Sequence, residues 1–412
     1  MPASPIRKLQ PFADAARSRG VHVYHLNIGQ PDLETPPEMR ERLKSLKDRV
    51  FAYTPSGGTA EYLAAMRAYY GRLGVPLALD EVVATTGGSE AIQFAFFATT
   101  DQGDEALVVE PYYTNYRSFA TLAGIRLVAL PSRVEDGFHL PPREVWEKAI
   151  TPRTRLVLLC NPNNPTGTVY SEDEIGMVAS LCRERGLFLV VDEVYREFVY
   201  DGRQSKSALT LPGFESHVIV VDSLSKRYSA CGIRLGCFAT RNRDVYQAAL
   251  RMAQGRLSPP GLAQFVAVGM KDLPAGYTAS IVAEYQKRRD LLYDGLRALP
   301  GVVLRRPEGA FYFVVRLPID DSEDFARWLL AEFESGGRTV MVAPASGFYA
   351  TPGAGSNEVR IAYVLKEEDL RASIGILAAA LEAYGRRRPR EQAPALAAAS
   401  ADGPDFGTPS AS

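Results

Sequence analysis

The sequence predicts an α/β fold in which helices cover both faces of a mainly parallel sheet, with a smaller α+β domain attached. This prediction rests on three features of the chain. Its 412 residues suffice for two domains and a large core. Between residues 81 and 240, short all-apolar runs alternate with helical segments, a rhythm typical of parallel sheets that are buried on both faces. After residue 300, the strands and helices are α+β in character.

Helices are the main elements predicted in the first 80 residues. A short arm and a helix are predicted up to about Gly20, followed by a short strand over 21–28. The strand leads into the turn GQPD, in which Gly29 lets the backbone approach a ligand. Helices are predicted over 36–48 and 61–73, and the Gly/Pro-rich loop YTPSGG lies between them.

The region that follows contains the alternating elements. Strands are predicted over 81–85, 106–109, 125–130, 155–160, 187–191 and 218–221, with an antiparallel edge strand over 237–240. Helices are predicted over 90–99, 116–123 and 171–185, and Ser171 with Glu174 fits a capping box at the start of the last one.

The remaining chain completes the second domain. Residues 245–300 are helix-rich and are interrupted at 258–261; strands follow over 302–304, 311–315 and 358–362, and helices over 321–334 and 367–384. The predicted division is an arm with part of the small domain (1–44), a large domain (45–295), a small domain (296–388) and a tail (389–412). The tail is rich in Ala, Pro, Ser and Gly without periodicity, which predicts disorder.

Composition excludes several classes of function. A net charge of -1 gives no electrostatic basis for binding nucleic acid or an anionic membrane. The four cysteines form no CxxC pair, which favours free thiols in a reducing compartment, and the four histidines have no metal-ligand spacing. Neither a transmembrane-length apolar run nor a signal peptide is apparent, so we expect a cytoplasmic protein.

The most informative stretch surrounds Lys226. A buried strand over 218–221 leads into a polar turn that holds Ser223, Ser225 and Lys226, and Arg234 follows eight residues after the lysine. Two hydroxyls and a guanidinium can bind a phosphate, and a lysine beside a phosphate site suggests a Schiff base with a phosphorylated aldehyde. The alternative is a solvated lysine in a surface loop.

Other polar side chains follow the predicted strands at the same edge of the sheet. Parallel strands place ligands at their carboxyl ends, so these side chains should converge. They are Gly88 with Ser89, Tyr113, Asn164, and Asp192 with Tyr195. Gly87 and Gly88 precede a predicted helix, and the free N–H groups at the start of that helix can bind an anion. Taken singly, Asn164 could serve a turn, Asp192 could cap a helix and Tyr113 could pack in the core.

This set matches the requirements of pyridoxal phosphate. The cofactor needs a lysine for its aldehyde, a cup for its phosphate and a carboxylate facing its pyridine nitrogen, which keeps that nitrogen protonated. It also needs donors to its phenolic oxygen and an aromatic face against its ring.

Six motifs stand in the order found in fold-type I pyridoxal-phosphate enzymes: YTPSGG, GGSEAI, NPNNPTG, DEVY, SLSK followed by GIRLG, and NEVRIAY. The chain resembles this class and, more narrowly, the class I/II aminotransferases of the aspartate aminotransferase family, over residues 5 to 385. The resemblance implies a seven-stranded, mainly parallel sheet, with 45–295 as the cofactor-binding domain.

The resemblance also implies roles for individual residues. Lys226 corresponds to the lysine that joins the cofactor and moves the substrate proton, and Asp192 to the partner of the pyridine nitrogen. Asn164 and Tyr195 correspond to the partners of the phenolic oxygen, and Tyr113 to the stacking aromatic residue. The phosphate cup comprises Gly88, Ser89, Ser223, Ser225 and Arg234.

Further roles concern the substrate and a second subunit. Arg360 corresponds to the arginine that binds the α-carboxylate, and Gly29 to the glycine that closes over it; Tyr113 and Asn164 complete the substrate-binding set. Tyr53 corresponds to a catalytic-site tyrosine that reaches the phosphate in the neighbouring subunit. The resemblance therefore implies a homodimer with shared active sites.

The implied activity is transfer of an amino group from an L-amino acid to a 2-oxo acid by a ping-pong mechanism. The substrate pair stays open. Ser89 occupies the position at which one subgroup has a lysine for a distal carboxylate; Arg256 and Arg126 are conceivable replacements, and the many aromatic residues would suit an aromatic substrate. Two alternatives are a C–S β-lyase of the same fold and a non-catalytic, cofactor-binding regulatory protein.

Overall fold

The structure, a computed structural model, describes residues 6–387, and the tail predicted over 389–412 lies outside these residues. The strands are β1 (His22–His25), β2 (Val82–Thr85), β3 (Glu105–Glu110), β4 (Arg126–Pro131), β5 (Thr154–Cys160), β6 (Phe188–Asp192), β7 (Val218–Ser223), β8 (Gly236–Thr240), β9 (Val303–Leu304), β10 (Tyr312–Arg316), β11 (Arg338–Met341), β12 (Ala343–Pro344) and β13 (Glu358–Ala362). The α-helices are α1 (Gln10–Ser18), α2 (Pro37–Lys44), α3 (Ala60–Arg72), α4 (Gly87–Thr99), α5 (Asn115–Ala123), α6 (Arg143–Ala149), α7 (Glu172–Arg185), α8 (Arg243–Gly255), α9 (Gly261–Ala267), α10 (Tyr277–Arg297), α11 (Ser322–Ala331) and α12 (Glu367–Gly385).

A seven-stranded sheet forms the centre of the molecule, in the order β2-β8-β7-β6-β5-β3-β4. Its inner pairs, from β7 through β6, β5 and β3 to β4, are parallel. The predicted fold class, a mainly parallel sheet between helices, is thereby confirmed. Because these strands run in one direction, their carboxyl ends share one edge of the sheet, where a ligand can bind.

Strand β7 shows why the apolar runs predict buried strands. Val218 and Val220 pack into the core on one face of the sheet, whereas Ile219 and Val221 pack into the core on the other face. Side chains alternate between the faces of a strand, so burial of both faces requires an uninterrupted apolar run. The run ends at Asp222 and Ser223, which still pair with β8 and bring the polar turn to the sheet edge.

The prediction for β8 is correct in direction and wrong in position. The strand is antiparallel to its neighbours, but it lies between β2 and β7 and is therefore an inner strand. Its residues Cys237, Phe238 and Ala239 are fully buried, as an inner strand requires. The adjacent Gly236 has no room for a side chain, since a Cβ atom there would lie 2.3 Å from the Asp222 carbonyl oxygen.

Two smaller sheets accompany the central one. Strands β12, β13, β10 and β9 form an antiparallel sheet, and β1 pairs in parallel with β11. Strands β11 and β12 and helix α6 were not predicted from the sequence. The pairing of β1 with β11 joins the N-terminal segment to the C-terminal part of the chain; the domain boundaries themselves stay a prediction.

Local signals place several helices correctly. Ser171 and Glu174 form the predicted capping box at the start of α7, and Gly186 ends that helix in the left-handed conformation. The four cysteines are free. None of the helices within residues 6–387 has the length and apolar character needed to cross a membrane; the cytoplasmic location stays a prediction.

Candidate active site

A cavity of about 440 Å³ opens at the carboxyl ends of the central strands. Twelve of the thirteen predicted site residues line it: Gly29, Gly88, Ser89, Tyr113, Asn164, Asp192, Tyr195, Ser223, Ser225, Lys226, Arg234 and Arg360. The exception is Tyr53, which is 80% exposed and lies outside this cavity. The structure thus brings together groups that are separated by more than 300 residues of sequence.

Lys226 projects into the cavity from the turn after β7. Its Nζ donates a hydrogen bond to the carbonyl oxygen of Gly29 at 2.9 Å and lies 3.9 Å from the Sγ of Cys231. The turn is held by Ser223, whose Oγ lies 2.8 Å from the hydroxyl of Ser225 and accepts the Ser225 N–H. The amine is therefore presented from a rigid support. Lys226 is half-buried at the cavity wall, which argues against the alternative of a solvated lysine in a surface loop.

A buried ionic network around Asp222 stabilises the turn that carries Lys226. Asp222 accepts hydrogen bonds from Arg227 at 2.7 Å and from the Tyr70 hydroxyl at 3.1 Å, and Arg196 lies 3.4 Å away. Burial alone would raise the pKa of Asp222, but the two guanidinium groups outweigh it and lower that pKa. Asp222 is thus held ionised and fixes Arg227, the residue next to Lys226.

Asp192 ends β6 on the floor of the cavity and is only 6% exposed. Its carboxylate accepts a hydrogen bond from the Tyr116 hydroxyl at 2.7 Å and from the backbone N–H of Val194 at 3.2 Å. Burial raises the pKa of Asp192 to about 6, in spite of these two donors. Its side chain lines the cavity, where a cationic ligand would offset the cost of burying the charged carboxylate.

Arg360 projects from β13 and lines the same cavity as Asp192 and Lys226. It is 3% exposed, and it donates to the Asn27 carbonyl oxygen at 2.6 Å and to Asn164 Oδ1 at 3.2 Å. Its Nε has no hydrogen-bond partner among the described residues, and burial lowers the pKa of its guanidinium. A bound carboxylate would compensate a buried cation of this kind.

Two tyrosine hydroxyls meet beside Arg360. The hydroxyls of Tyr195 and Tyr312 lie 2.7 Å apart, and the Arg360 guanidinium lies 4.4 Å from the centre of the Tyr312 ring. A Cβ atom on Gly29 would lie 1.9 Å from the Tyr312 hydroxyl oxygen. Only glycine therefore fits at position 29, which allows the backbone to come close to both Lys226 and the tyrosine pair.

The part of the cavity at the start of α4 suits an anion. Gly88 and Ser89 lie in the first turn of α4, where backbone N–H groups have no partner within the helix. Arg234 adopts the left-handed conformation with φ +55°, and its guanidinium lies 2.8 Å from where a Cβ atom on Gly87 would stand. The hydroxyls of Ser223 and Ser225 complete this end. Amides, hydroxyls and a guanidinium are the groups that bind phosphate.

Tyr113 forms part of the cavity wall. Its hydroxyl accepts a hydrogen bond from the Asn115 side chain at 2.7 Å, its ring packs edge-on against Tyr116, and burial raises its pKa to about 12. It therefore remains a neutral aromatic surface at ordinary pH.

Several functional contacts were not found from the sequence. Tyr116 and Tyr312 are among the many aromatic residues to which the sequence assigned no individual role, and Asn27 and Cys231 carried no motif. Their contacts depend on how distant elements pack. Neither Arg126 nor Arg256 lines the cavity: Arg126 forms an ion pair with Glu105, and Arg256 forms one with Glu90.

The fold is that of the fold-type I pyridoxal-phosphate-dependent enzymes. A profile of the family "Aminotransferase class I and II" matches residues 21–377. The aspartate/prephenate aminotransferase of Thermus thermophilus is 32% identical over 365 residues, which cover 87% of this chain and 91% of that protein.

Solved structures agree with this match. An aspartate aminotransferase from Thermotoga maritima superposes with a TM-score of 0.84 at 27% identity, and an alanine aminotransferase from Pyrococcus furiosus with 0.83 at 29% identity. Each comparison covers 92% of this chain and 98% of the other chain. The chain belongs to the class I and II aminotransferases and is an aminotransferase; amino acids and 2-oxo acids are the substrates of this family.

Proposed function

We propose that this aminotransferase is a homodimer that binds pyridoxal phosphate at Lys226 and moves an amino group from an L-amino acid to a 2-oxo acid by a ping-pong mechanism. One observation carries the proposal: the amine of Lys226 shares a single cavity with the buried carboxylate of Asp192 and the buried guanidinium of Arg360. These three groups match an aldehyde, a ring nitrogen and a substrate carboxylate.

The residues present fit this cofactor. Asp192 is buried with two hydrogen-bond donors and has a raised pKa, so it gains from a protonated ring nitrogen. The helix start at Gly88 and Ser89, with Arg234, suits the phosphate. Tyr113 offers an aromatic face, and Tyr195 offers a hydroxyl for the phenolic oxygen.

Bound pyridoxal phosphate supplies an aldehyde for the amine and a ring that withdraws electrons from the adjacent carbon. Lys226 is the group that holds and moves the proton of the substrate Cα, because its amine projects into the cavity from a rigid turn. Its contact with the Gly29 carbonyl oxygen orients the amine toward the segment that covers the substrate.

Arg360 orients both substrates. Amino acids and 2-oxo acids each carry an α-carboxylate, which the guanidinium can bind through two parallel hydrogen bonds. Because the cavity contains one such buried guanidinium within the described residues, the amino acid and the 2-oxo acid compete for the same position. They must therefore bind in turn, which is the ping-pong order.

The proposed homodimer accounts for an exposed apolar segment. Val50, Phe51 and Tyr53 are 77%, 70% and 80% exposed, although large apolar side chains are usually buried. Consecutive exposed side chains of this kind are typical of a surface that a partner covers. In the proposed dimer, Tyr53 reaches the phosphate end of the partner's cavity.

We expect a particle mass of twice the 45.1 kDa of one chain. Tyr53→Phe, which removes one hydroxyl, should leave this mass unchanged and weaken cofactor binding by about tenfold. A hybrid dimer of Tyr53→Phe and Lys226→Ala chains tests the sharing directly. If Tyr53 acts across the interface, one site of the hybrid has both native groups and binds cofactor normally. A monomer, or a hybrid without a normal site, would contradict the shared arrangement.

The main test is an absorption spectrum of the purified protein with cofactor, titrated with single amino acids in the absence of any 2-oxo acid. We expect a yellow form that borohydride fixes covalently to Lys226, and its conversion to the pyridoxamine form by at least one amino acid. Release of pyruvate and ammonia from a cysteine conjugate, without that conversion, would instead identify a C–S lyase. Absence of any bound chromophore would refute the proposed cofactor site.

A further inference from the structure

The loop that carries Tyr53, residues 53–59, has no regular secondary structure and is called the Tyr53 loop below. It precedes α3 and belongs to neither a helix nor a strand. Tyr53 is 80% exposed, so packing within its own chain does not fix its side chain. Under the proposed function, on which this inference rests, Tyr53 presents its hydroxyl to the partner's cavity. A loop can do so reproducibly only if other residues hold its backbone in place.

Gln264, in α9, makes the contacts that hold both ends of this loop. Its side chain is fully buried. The Nε2 atom donates hydrogen bonds to Thr54 Oγ1 at 3.0 Å and to the Pro259 carbonyl oxygen at 3.2 Å, and Oε1 accepts one from the Thr59 N–H at 2.7 Å. One amide therefore binds the loop at residues 54 and 59, and the first of these is the neighbour of Tyr53 in the sequence.

The middle of the Tyr53 loop is fixed by strand β2. The Ala84 N–H donates a hydrogen bond to the Gly57 carbonyl oxygen at 2.8 Å. Gly58 has φ +119°, and a Cβ atom there would lie 2.8 Å from the Ala84 Cβ, so the loop lies directly against the strand. Because β2 holds only this middle part, Gln264 is the side chain that sets the position of the end next to Tyr53.

A second exposed apolar segment adjoins the loop at the start of α9. Leu257 and Leu262 are 53% and 42% exposed. A Cβ atom on Gly261 would lie 3.1 Å from the Thr54 Cγ2, so this segment packs closely against the loop. Large apolar side chains on both segments are typical of a surface that a partner covers. Gln264 joins the two segments through its buried hydrogen bonds.

We propose that Gln264 is a positioning residue for the active site of the partner subunit: it holds the Tyr53 loop so that the Tyr53 hydroxyl reaches the phosphate end of the partner's cavity. Gln264 does not line the cavity of its own chain. A loop that is already held in the bound geometry loses less conformational freedom when the phosphate binds. Without the amide, the Thr59 N–H and the Pro259 carbonyl oxygen each lose a hydrogen-bond partner, and the loop relaxes away from that geometry.

The first measurement is the cofactor affinity of the Gln264→Met dimer. Methionine keeps the length of the side chain and removes all three hydrogen bonds. We expect the affinity for pyridoxal phosphate to fall about tenfold, as for Tyr53→Phe. Because both changes act through one hydroxyl, the double variant should lose no more affinity than Gln264→Met alone. A wild-type affinity, or losses that multiply in the double variant, would overturn the role of Gln264.

Hybrid dimers show on which subunit Gln264 acts. Borohydride fixes the cofactor only at a site that has Lys226, so each of two hybrids reports a single site during titration with pyridoxal phosphate. With Gln264→Met on one chain and Lys226→Ala on the other, the reporting site receives Tyr53 from a chain with native Gln264 and should bind normally. With both changes on one chain opposite a native chain, the reporting site receives Tyr53 from the Gln264→Met chain and should bind about tenfold more weakly. A residue that only stabilises its own chain would give the opposite pattern.

Thr54→Val is a milder change that gives the same test if Gln264→Met does not fold. Valine has the shape of threonine and removes the hydroxyl that accepts from Gln264, while the other two hydrogen bonds of the amide remain. It should weaken binding about threefold, in the same hybrid as Gln264→Met. The matched control is Gln286→Met. Gln286 also holds a loop, by accepting the Asp201 N–H at 3.1 Å, but it does not line the cavity, and its loss should leave cofactor affinity unchanged.

Tyr53→Phe in the same two hybrids separates this inference from the function on which it rests. If Tyr53→Phe weakens the partner's site and neither Gln264→Met nor Thr54→Val does so, the role of Gln264 fails while the shared sites stand. If Tyr53→Phe weakens the site of its own chain, or neither site, the proposed sharing fails and the role of Gln264 fails with it. Absence of bound cofactor in the native dimer would refute the cofactor site itself.

Discussion

Lys226→Ala is expected to lower turnover by about 10⁴-fold or more, the largest effect of any single substitution in the site. The change removes both the amine that joins the cofactor and the base that moves the substrate proton, and each is a separate contribution to the rate. Stopped-flow spectra of the amino-acid half-reaction would measure this loss directly. Turnover at the wild-type level in the alanine variant would remove Lys226 from its central role.

The variant should remain folded, so the loss can be attributed to chemistry. Lys226 is half-buried, and its Nζ makes one close hydrogen bond, to Gly29, while the ionic network around Asp222 holds the turn without it. Lys226→Arg is the matched control, because it keeps a positive charge and cannot serve as the amine. Both variants should unfold within a few degrees of the wild type, and a small primary amine in the buffer should restore part of the rate to the alanine variant only.

Much of this site can be predicted from the sequence, because the ends of the buried strands can be recognised from their apolar runs. The apolar runs before Asp192 and Ser223 predict strands that are buried on both faces, and parallel strands present their carboxyl ends at one edge. Each polar group that immediately follows such a run is therefore expected at the same edge of the sheet. Lys226 lies three residues after Ser223, so its position was predicted well.

Contacts between side chains of distant elements could not be predicted in this way. Tyr116 reaches Asp192 from α5, and Tyr312 reaches Tyr195 from β10, across 76 and 117 residues of sequence. Which way an aromatic side chain of a helix or strand points depends on the rotation and register of that element. A local pattern does not determine this, so neither residue was assigned to the site from the sequence.

The pairing of β1 with β11 illustrates the same limit for the backbone. His22 faces Arg338 in a parallel pair, and neither segment has a strong strand pattern by itself. The run TVMV, residues 339–342, was the available signal for β11, but four apolar or β-branched residues are too few to distinguish a strand from part of a loop. Similarly, the position of β8 inside the sheet depends on β2, which lies about 150 residues earlier in the sequence.

Asp192→Asn is expected to have two opposite effects, on catalysis and on the stability of the cofactor-free protein. The amide keeps the size of the side chain and can still accept the Tyr116 hydrogen bond, but it carries no charge to hold a protonated ring nitrogen. We expect turnover to fall on the order of 10²–10³-fold, as is typical when one electrostatic stabiliser is removed. An unchanged rate would remove Asp192 from the catalytic set.

Without cofactor, Asp192→Asn should raise the free energy of unfolding instead of lowering it. Burial raises the pKa of Asp192 from 3.8 to about 6, so the folded protein binds a proton there that the unfolded chain has lost between these pH values. The contribution of Asp192 to the free energy of unfolding is therefore greatest below pH 4 and declines as the pH rises to about 6. Two pKa units correspond to about 3 kcal/mol, the upper size of this change.

Asp192→Asn removes this dependence, because an amide does not titrate. Cofactor-free Asp192→Asn should therefore be more stable than the cofactor-free wild type at pH 7.5, by about 2–3 kcal/mol in urea unfolding, and the difference should disappear near pH 4. Saturating cofactor should reverse the order at pH 7.5, since only a carboxylate gains from a cationic ring. The Asp192 carboxylate would then lower the stability of the cofactor-free protein and raise that of the cofactor-loaded enzyme. This is the property expected of a residue that serves the ligand rather than the fold. A wild type that stays the more stable protein at pH 7.5 without cofactor would mean that Tyr116 and the Val194 N–H already compensate the buried charge.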